Sequence, residues 1–440
     1  MTRRHGFALL GALVGVVALV CAAIIGGLGL LDTGSDTERS GGSPDSRTRA
    51  RVPVGTAAPA SAAGWTGTWS AAPGGAEPGA PTGHAGRSIR NVVHTSIGGT
   101  SVRITLSNLF SRVPLLIGHG SVGVGEQGGG AEAVAGTMRE LAFGGRTDVT
   151  VPPGGQIVSD PVALRVPYDG DLLVTLYTPM SGGPVTYHPR AFQTSYLADG
   201  DRALDPGGTA YTEPTTAWRY VTAVDVLNRE AAGAVVAFGD SITDGQGSRA
   251  GANHRWPDRL ADRLRDRHTG VLNAGISGNR VLADTALIGN GPSGISRFGR
   301  DVLDRPGVRA VIIDLGINDI LRGRERDPEK ITAGLRELTR QAHERGLRVI
   351  GSTLAPFGGH RGYDAVTESV RDRVNEEIRS GLIYDDVVDF DRALRDPYAP
   401  DRLRPAYDSG DALHPSDAGY RAMSRAIDLR ALEGRTAAQL

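Results

Sequence analysis

Ala234-Val-Val-Ala-Phe238 is an apolar run without a polar interruption, and it stops at Gly239-Asp240-Ser241. Five apolar residues bounded by turn formers read as a strand buried on both faces, which requires a sheet covered on each side. In an open α/β sheet, ligands collect in the crevice beyond the carboxyl ends of the strands. Ser241 falls where strand becomes helix, with Gly239 letting the backbone turn sharply. Its hydroxyl is therefore expected to face that crevice, where the following amides and helix dipole favour negative charge. Asp240 and Ser241 are also common helix caps, and this stretch alone does not choose between a cap and a nucleophile.

Strand and helix patterns alternate through the rest of the chain. Trp256 to Arg267 carries Leu260 and Leu264 on one helical face, and Val271 to Asn273 reads as the next strand. Val308 to Leu315 is a third strand with no alternation. Ile331, Leu335, Leu338 and Ala342 stripe a helix, and Leu347 to Leu354 is a fourth strand. Val366, Val370, Val374 and Ile378 stripe another helix, Asp386 to Phe390 is a fifth strand, and Pro415 to Arg430 closes with a helix. Right-handed crossovers then give a three-layer, mostly parallel α/β domain over 230–433.

Upstream the pattern differs. From Trp65 to Arg229, short β-rich runs are separated by Gly and Pro, as in Ser101–Ser107, Gln156–Ser159 and Asp171–Tyr177. The first alternates Val102, Ile104 and Leu106 with Arg103 and Thr105, so 65–229 is expected to be an antiparallel sandwich or jelly roll. Residues 32–64 are rich in Gly, Ser, Thr, Pro, Ala and Arg and read as a flexible tether. Phe7 to Leu31 is uncharged and apolar behind Arg3, Arg4 and His5, a positive flank that stays cytoplasmic. Its length favours an uncleaved membrane anchor with the rest of the chain outside; cleavage would make the protein secreted.

Composition excludes several chemistries. A net charge of -1 gives no reason to expect nucleic acid as a partner. Cys21, the single cysteine, lies inside the apolar run, so the exported part can hold neither a disulfide nor a thiol nucleophile. With no cysteine and no tight His/carboxylate cluster there, no metal or other cofactor is implied.

Three further stretches fall at strand ends: Asn273-Ala-Gly-Ile-Ser-Gly-Asn279, Gly316-Ile-Asn-Asp319 and Asp411-Ala-Leu-His-Pro415. A serine nucleophile needs a base, and the base needs a partner that sets its tautomer. His414 and Asp411 can supply both to Ser241. The tetrahedral intermediate needs donors for its oxyanion, and the amides of Ser241 and Gly278 and the side chain of Asn318 suit that role. Taken singly, Gly278 could be only a turn, Asn318 a cap and His414 a surface imidazole. Four such pieces in this order, each at a strand end, argue for acyl transfer.

The order Gly239-Asp-Ser241, Gly278, Gly316-Ile-Asn318-Asp and Asp411-Ala-Leu-His414-Pro resembles the SGNH or GDSL hydrolases over about 232–430. That resemblance implies a five-stranded flavodoxin-like fold and esterase or lipase activity. It makes Ser241 the nucleophile, His414 the base, Asp411 its partner, and Ser241, Gly278 and Asn318 the oxyanion hole, supported by Gly239, Asp240 and Gly316. It favours Gly278 over Gly275 because the family's glycine directly follows the Ile-Ser pair. Gly239-Asp-Ser-Ile-Thr-Asp-Gly245 with Arg255-Trp-Pro-Asp258 is similar to a secreted actinobacterial branch whose members can carry a β-rich domain ahead of the hydrolase. Asp244, His254 and His360 read as structural or solvated. The expected substrate is a small-molecule or polysaccharide ester with short acyl groups, such as O-acetyl on carbohydrate, since Asp284 to Gly299 is Gly-rich rather than strongly apolar. The alternatives are a lysophospholipase, lipase or thioesterase of the same fold, or a non-catalytic surface glycan-binding protein.

Overall fold

The computed structural model describes residues 64–285 and 289–433. The expected anchor over 1–31 and all but the last residue of the tether lie outside the described residues. Among the described residues, no helix is long and apolar enough to cross a membrane.

Five parallel strands form one sheet in the spatial order Thr269–Gly275, Gly233–Gly239, Val308–Asp314, Arg348–Ser352 and Asp386–Val388. In chain order that is 2-1-3-4-5. The run Ala234–Phe238 lies between the second and third strands, with Phe238 level with Ala274 on one side and Ile313 on the other. Both of its faces are buried. Val236 and Phe238 pack with Leu335, Leu338, Val374 and Ile378 on one side of the sheet. Val235 and Ala237 pack with Trp256, Leu260, Tyr420 and Met423 on the other. Helices on both faces explain why this strand is apolar without alternation.

The helices are Trp256–Leu264, Pro328–His343, Ala365–Arg379 and Asp417–Ala426, with shorter pieces between them. The first is shorter than its stripe suggested, giving way to a 3-10 turn at Arg265–Arg267. The last starts at Asp417 because Ser416 caps it, accepting from the Gly419 amide. Val366 is 56% exposed rather than inward. Asp364 and Thr367 form a capping box there, and buried Thr367 takes the inward place. The Gly-rich stretch after the second strand contains a short helix, Gly294–Phe298, which the Gly content masked.

Residues 65–227 form antiparallel sheets. One holds Trp65–Ser70, Val221–Leu227, Gly99–Ser107 and Val162–Val166, with Gln156–Val158 also paired to Gly99–Ser107. A second runs Glu213–Thr215, Ser195–Asp199, Arg87–His94, Asp171–Thr178, His119–Val124 and Arg139–Glu140, and two smaller sheets of three and two strands accompany them. Val102, Ile104 and Leu106 face the core between them, and Arg103 on the opposite face donates to Asp225 at 2.9 Å.

The antiparallel and parallel parts belong to one compact unit. Thr269–Gly275 is an edge strand, and an unpaired edge invites association with other chains. Here the antiparallel part covers it. Ser70 Oγ donates to the Asn273 carbonyl at 3.1 Å, and the Val271 amide donates to Ser96 Oγ at 2.9 Å. Ser96 Oγ in turn donates to the Thr68 carbonyl at 2.6 Å. Removing that hydroxyl strands the buried Val271 amide, so Ser96→Ala should cost about 1–3 kcal/mol in urea unfolding. An unchanged midpoint and slope would mean that the edge is not held this way.

Candidate active site

A sheet ordered 2-1-3-4-5 reverses direction of winding between its first and third strands, and the crevice opens there. Gly239 ends the first strand at that point. No side chain fits on it, since a Cβ would stand 2.2 Å from Thr243 Oγ1 and 2.6 Å from the Asp314 carbonyl. Close approach, rather than the sharp turn expected from the sequence, accounts for this glycine. Asp240 then caps the helix Ser241–Asp244, accepting from the Ile242 amide at 3.0 Å and from Asn318 Nδ2 at 3.2 Å. That helix is a single turn, so its dipole adds little here.

Ser241 and His414 are 173 residues apart in sequence and meet at 2.8 Å, Oγ to Nε2. His414 Nδ1 lies 2.6 Å from Asp411 Oδ2. The loop builds this pairing locally. Asp411 Oδ1 accepts the amides of Leu413 and His414 at 3.1 and 2.8 Å, which folds the loop back on its own carboxylate. Ala412 between them takes φ +60°, a left-handed conformation tolerated because both neighbours are tied. Burial raises the Asp411 pKa, but the amide and ring of His414 outweigh it and hold the carboxyl below its ordinary value. Asp411 is therefore ionised and fixes the tautomer with the proton on Nδ1.

Gly278 turns the second loop at φ +78°, and Asn290 and Arg322 crowd its open face. Among the described residues, no internal hydrogen bond occupies the amides of Ser241 and Gly278. Asn318, in the helix Ile317–Leu321 that starts after Gly316, spends one amide hydrogen on Asp240 and keeps the other. Ser241, Gly278 and His414 line one cleft of about 290 Å³, and its walls include Pro189, Arg190, Gln246, Gly289, Asn290 and Arg322.

Several supports were not legible in the sequence. Arg297, fully buried, donates to the carbonyls of Gly239 and Ala274 at 2.8 and 2.7 Å and to Asn279 Oδ1 at 3.0 Å. Burial lowers its pKa to about 10, which leaves it charged at neutral pH. Asp244, read as structural, is a hub. One of its oxygens accepts from the amide and hydroxyl of Ser277, beside Gly278, at 3.0 and 2.6 Å. The other meets His188 Nε2 at 3.0 Å, and His188 belongs to the antiparallel part. His188 Nδ1 faces the Ala72 carbonyl at 2.8 Å, so both ring nitrogens point at acceptors. Burial lowers the His188 pKa, and the Asp244 charge more than compensates, so the ring is held above its ordinary value and its protonated form is favoured. His254 pairs with Asp417 at 2.6 Å, away from the cleft lining. His360 Nδ1 accepts the Gly362 amide at 3.1 Å and is not among the residues that line the cleft.

Residues 237–422 match the family described as GDSL-like lipase/acylhydrolase. This part of the chain belongs to that family. It is an ester-bond hydrolase. Among solved structures, the chain is similar to an aryl esterase of M. smegmatis at 20% identity, covering 46% of this chain and 100% of that one with a TM-score of 0.38. A carbohydrate acetylesterase from Sinorhizobium meliloti is 18% identical over 44% of this chain and 95% of that one, with a TM-score of 0.35. A GDSL-like lipase from Bacteroides thetaiotaomicron is 20% identical over 46% and 88%, with a TM-score of 0.34. No curated protein matches.

Two outcomes test the hydrolase's electrostatics. His188→Ala leaves Asp244 buried without its counter-charge and should cost about 3–5 kcal/mol in denaturant unfolding. Combined with Asp244→Ala it should cost clearly less than the two single losses added; additive losses would deny the pairing. Burial also raises the Asp319 pKa from 3.8 to about 6, despite the Val281 and Leu282 amides it accepts. The folded state then binds this proton more tightly than the unfolded chain. Its stabilising effect is complete below the unfolded pKa and is lost as pH rises through the folded one. The wild type should lose up to about 3 kcal/mol relative to Asp319→Asn between about pH 4 and pH 6. Parallel pH profiles for the two proteins would contradict that assignment.

Proposed function

We propose that this hydrolase is a serine esterase working through an acyl-enzyme, with Ser241 as nucleophile. The observation that carries the reading is the 2.8 Å approach of Ser241 Oγ to His414 Nε2, with Asp411 behind the ring. As Oγ attacks the ester carbonyl, His414 Nε2 takes its proton, and Asp411 stabilises the imidazolium that forms. The amides of Ser241 and Gly278 and the second amide hydrogen of Asn318 donate to the oxyanion. Collapse expels the alcohol, which receives the proton from His414. Water then gives its proton to His414 and attacks the acyl-enzyme, and Ser241 recovers its proton as the acid leaves.

A cleft walled by Arg190, Gln246, Asn290 and Arg322 offers little apolar surface for a long acyl chain. This supports short acyl groups. The chain divides in this reading into an antiparallel accessory domain over 65–229 and the hydrolase over 230–433. The apolar run over 7–31 supports export, with the hydrolase outside the membrane.

Hydrolysis of p-nitrophenyl acetate should exceed that of the palmitate, and Ser241→Ala should lower kcat by about 10³-fold or more at unchanged stability. Equal turnover in the variant would remove Ser241 from the mechanism, and a preference for palmitate would overturn the short-acyl assignment.

A further inference from the structure

The cleft beside Ser241 has a charge pattern that ester hydrolysis alone does not require. Arg190 and Arg322 both line it, and among the described residues no lining residue is acidic. Among the described residues neither guanidinium forms an ion pair, whereas buried Arg297, Arg219 and Arg371 all do.

Each arginine is nevertheless held in place. The main chain of Arg190 is fixed where its carbonyl meets His188 Nε2 at 3.2 Å, and its Nη1 donates to Gln246 Oε1 at 2.5 Å. Gln246 is anchored in turn: its amide donates to the Ser241 carbonyl at 2.9 Å, and its carbonyl accepts from Tyr420 Oη at 2.5 Å. Arg322 caps the helix that carries Asn318, its amide bonded to the Asn318 carbonyl at 2.9 Å. Its guanidinium carbon lies 3.3 Å from where a Cβ on Gly278 would stand, with Asn290 Nδ2 closer still. Two cations therefore flank the reacting serine, one from the antiparallel part and one from the oxyanion-side helix, with an amide donor between them and no internal counter-ion. Cations lining a concave wall concentrate anions there, and guanidinium forks suit the paired oxygens of carboxylate or phosphate.

Resting on the esterase reading above, we propose that the natural substrate is an ester bearing an oxyanionic group, carboxylate or phosphate, close to the scissile bond, recognised by Arg190 and Arg322. The antiparallel part then takes part in substrate selection through Arg190.

The test compares 4-acetoxybenzoate with the neutral 4-acetoxybenzamide, and the monoester p-nitrophenyl terephthalate with p-nitrophenyl 4-carbamoylbenzoate, so that the charge lies on the alcohol side or the acid side. The full protein should favour the anionic member of at least one pair by about tenfold in kcat/KM, and the preference should shrink at high salt. In Arg190→Gln/Arg322→Gln the ratio should fall to about one, chiefly through KM. Replacing the carboxylate by phosphate, in 4-acetoxyphenyl phosphate, tells which anion is preferred. Turnover of neutral esters with no anionic preference in either pair would overturn the proposal and leave the esterase reading standing. A preference that survives in the double variant would also overturn it. If no ester is turned over, calorimetry on Ser241→Ala decides: tighter binding of the anionic member keeps the anion site and sinks only the esterase reading, and equal or absent binding sinks both.

Discussion

The site depends on a charge with no access to water. Arg297 sits under the carboxyl ends of the first two strands, its guanidinium 4.0 Å from the Phe238 ring centroid and bonded to the Gly239 and Ala274 carbonyls. These carbonyls end the strands from which the Ser241 turn and the Gly278 loop depart. A buried cation must find partners or lose its charge, and Asp301 and Asn279 complete its set. Asn279 then passes the order on, donating to the carbonyls of Asn290 and Pro292 at 2.8 and 2.7 Å. One desolvated guanidinium thus ties together the Ser241 turn, the Gly278 loop and a wall of the cleft.

A second buried charge links the two halves of the molecule. His188 and Asp244 are both almost without solvent exposure, and Asp244 also holds Ser277. Shifting the antiparallel part would break an ion pair in a low-dielectric setting, where an unpaired partner is costly. The same seam covers the sheet edge through Ser70 and Ser96. An accessory sandwich can be only a tethered appendage, but this one is built into the site's support.

The acids near Ser241 complete the electrostatics. Burial pushes the Asp240, Asp314 and Asp319 carboxyls up, and mutual repulsion adds to this at Asp240. Asp411 is instead held low, by the amide and ring of His414. Burial thus makes the carboxyls beneath Ser241 easier to protonate than ordinary aspartates, whereas Asp411 beside His414 is harder to protonate.

Much of this was readable from residues alone. Five apolar strands, the stripes on Pro328–His343 and Ala365–Arg379, and the order of Ser241, Gly278, Asn318, Asp411 and His414 are local patterns whose periods and spacings carry their own physical meaning. The Asp411–His414 pairing is local too, since a loop of four residues can satisfy its own amides. Arg297, His188 and the Arg190–Arg322 cleft were not readable, because an arginine or histidine in sequence does not reveal whether it will be buried, or against what. Their partners lie as far as 116 residues away, in His188 and Ala72, or 58, in Arg297 and Gly239. Sequence by itself determined the strands and their helices, because periodicity and turn chemistry act over a few residues. Only the tertiary structure decided strand order, the covered edge and the charges around the serine, because desolvation and ion pairing depend on which distant segments meet.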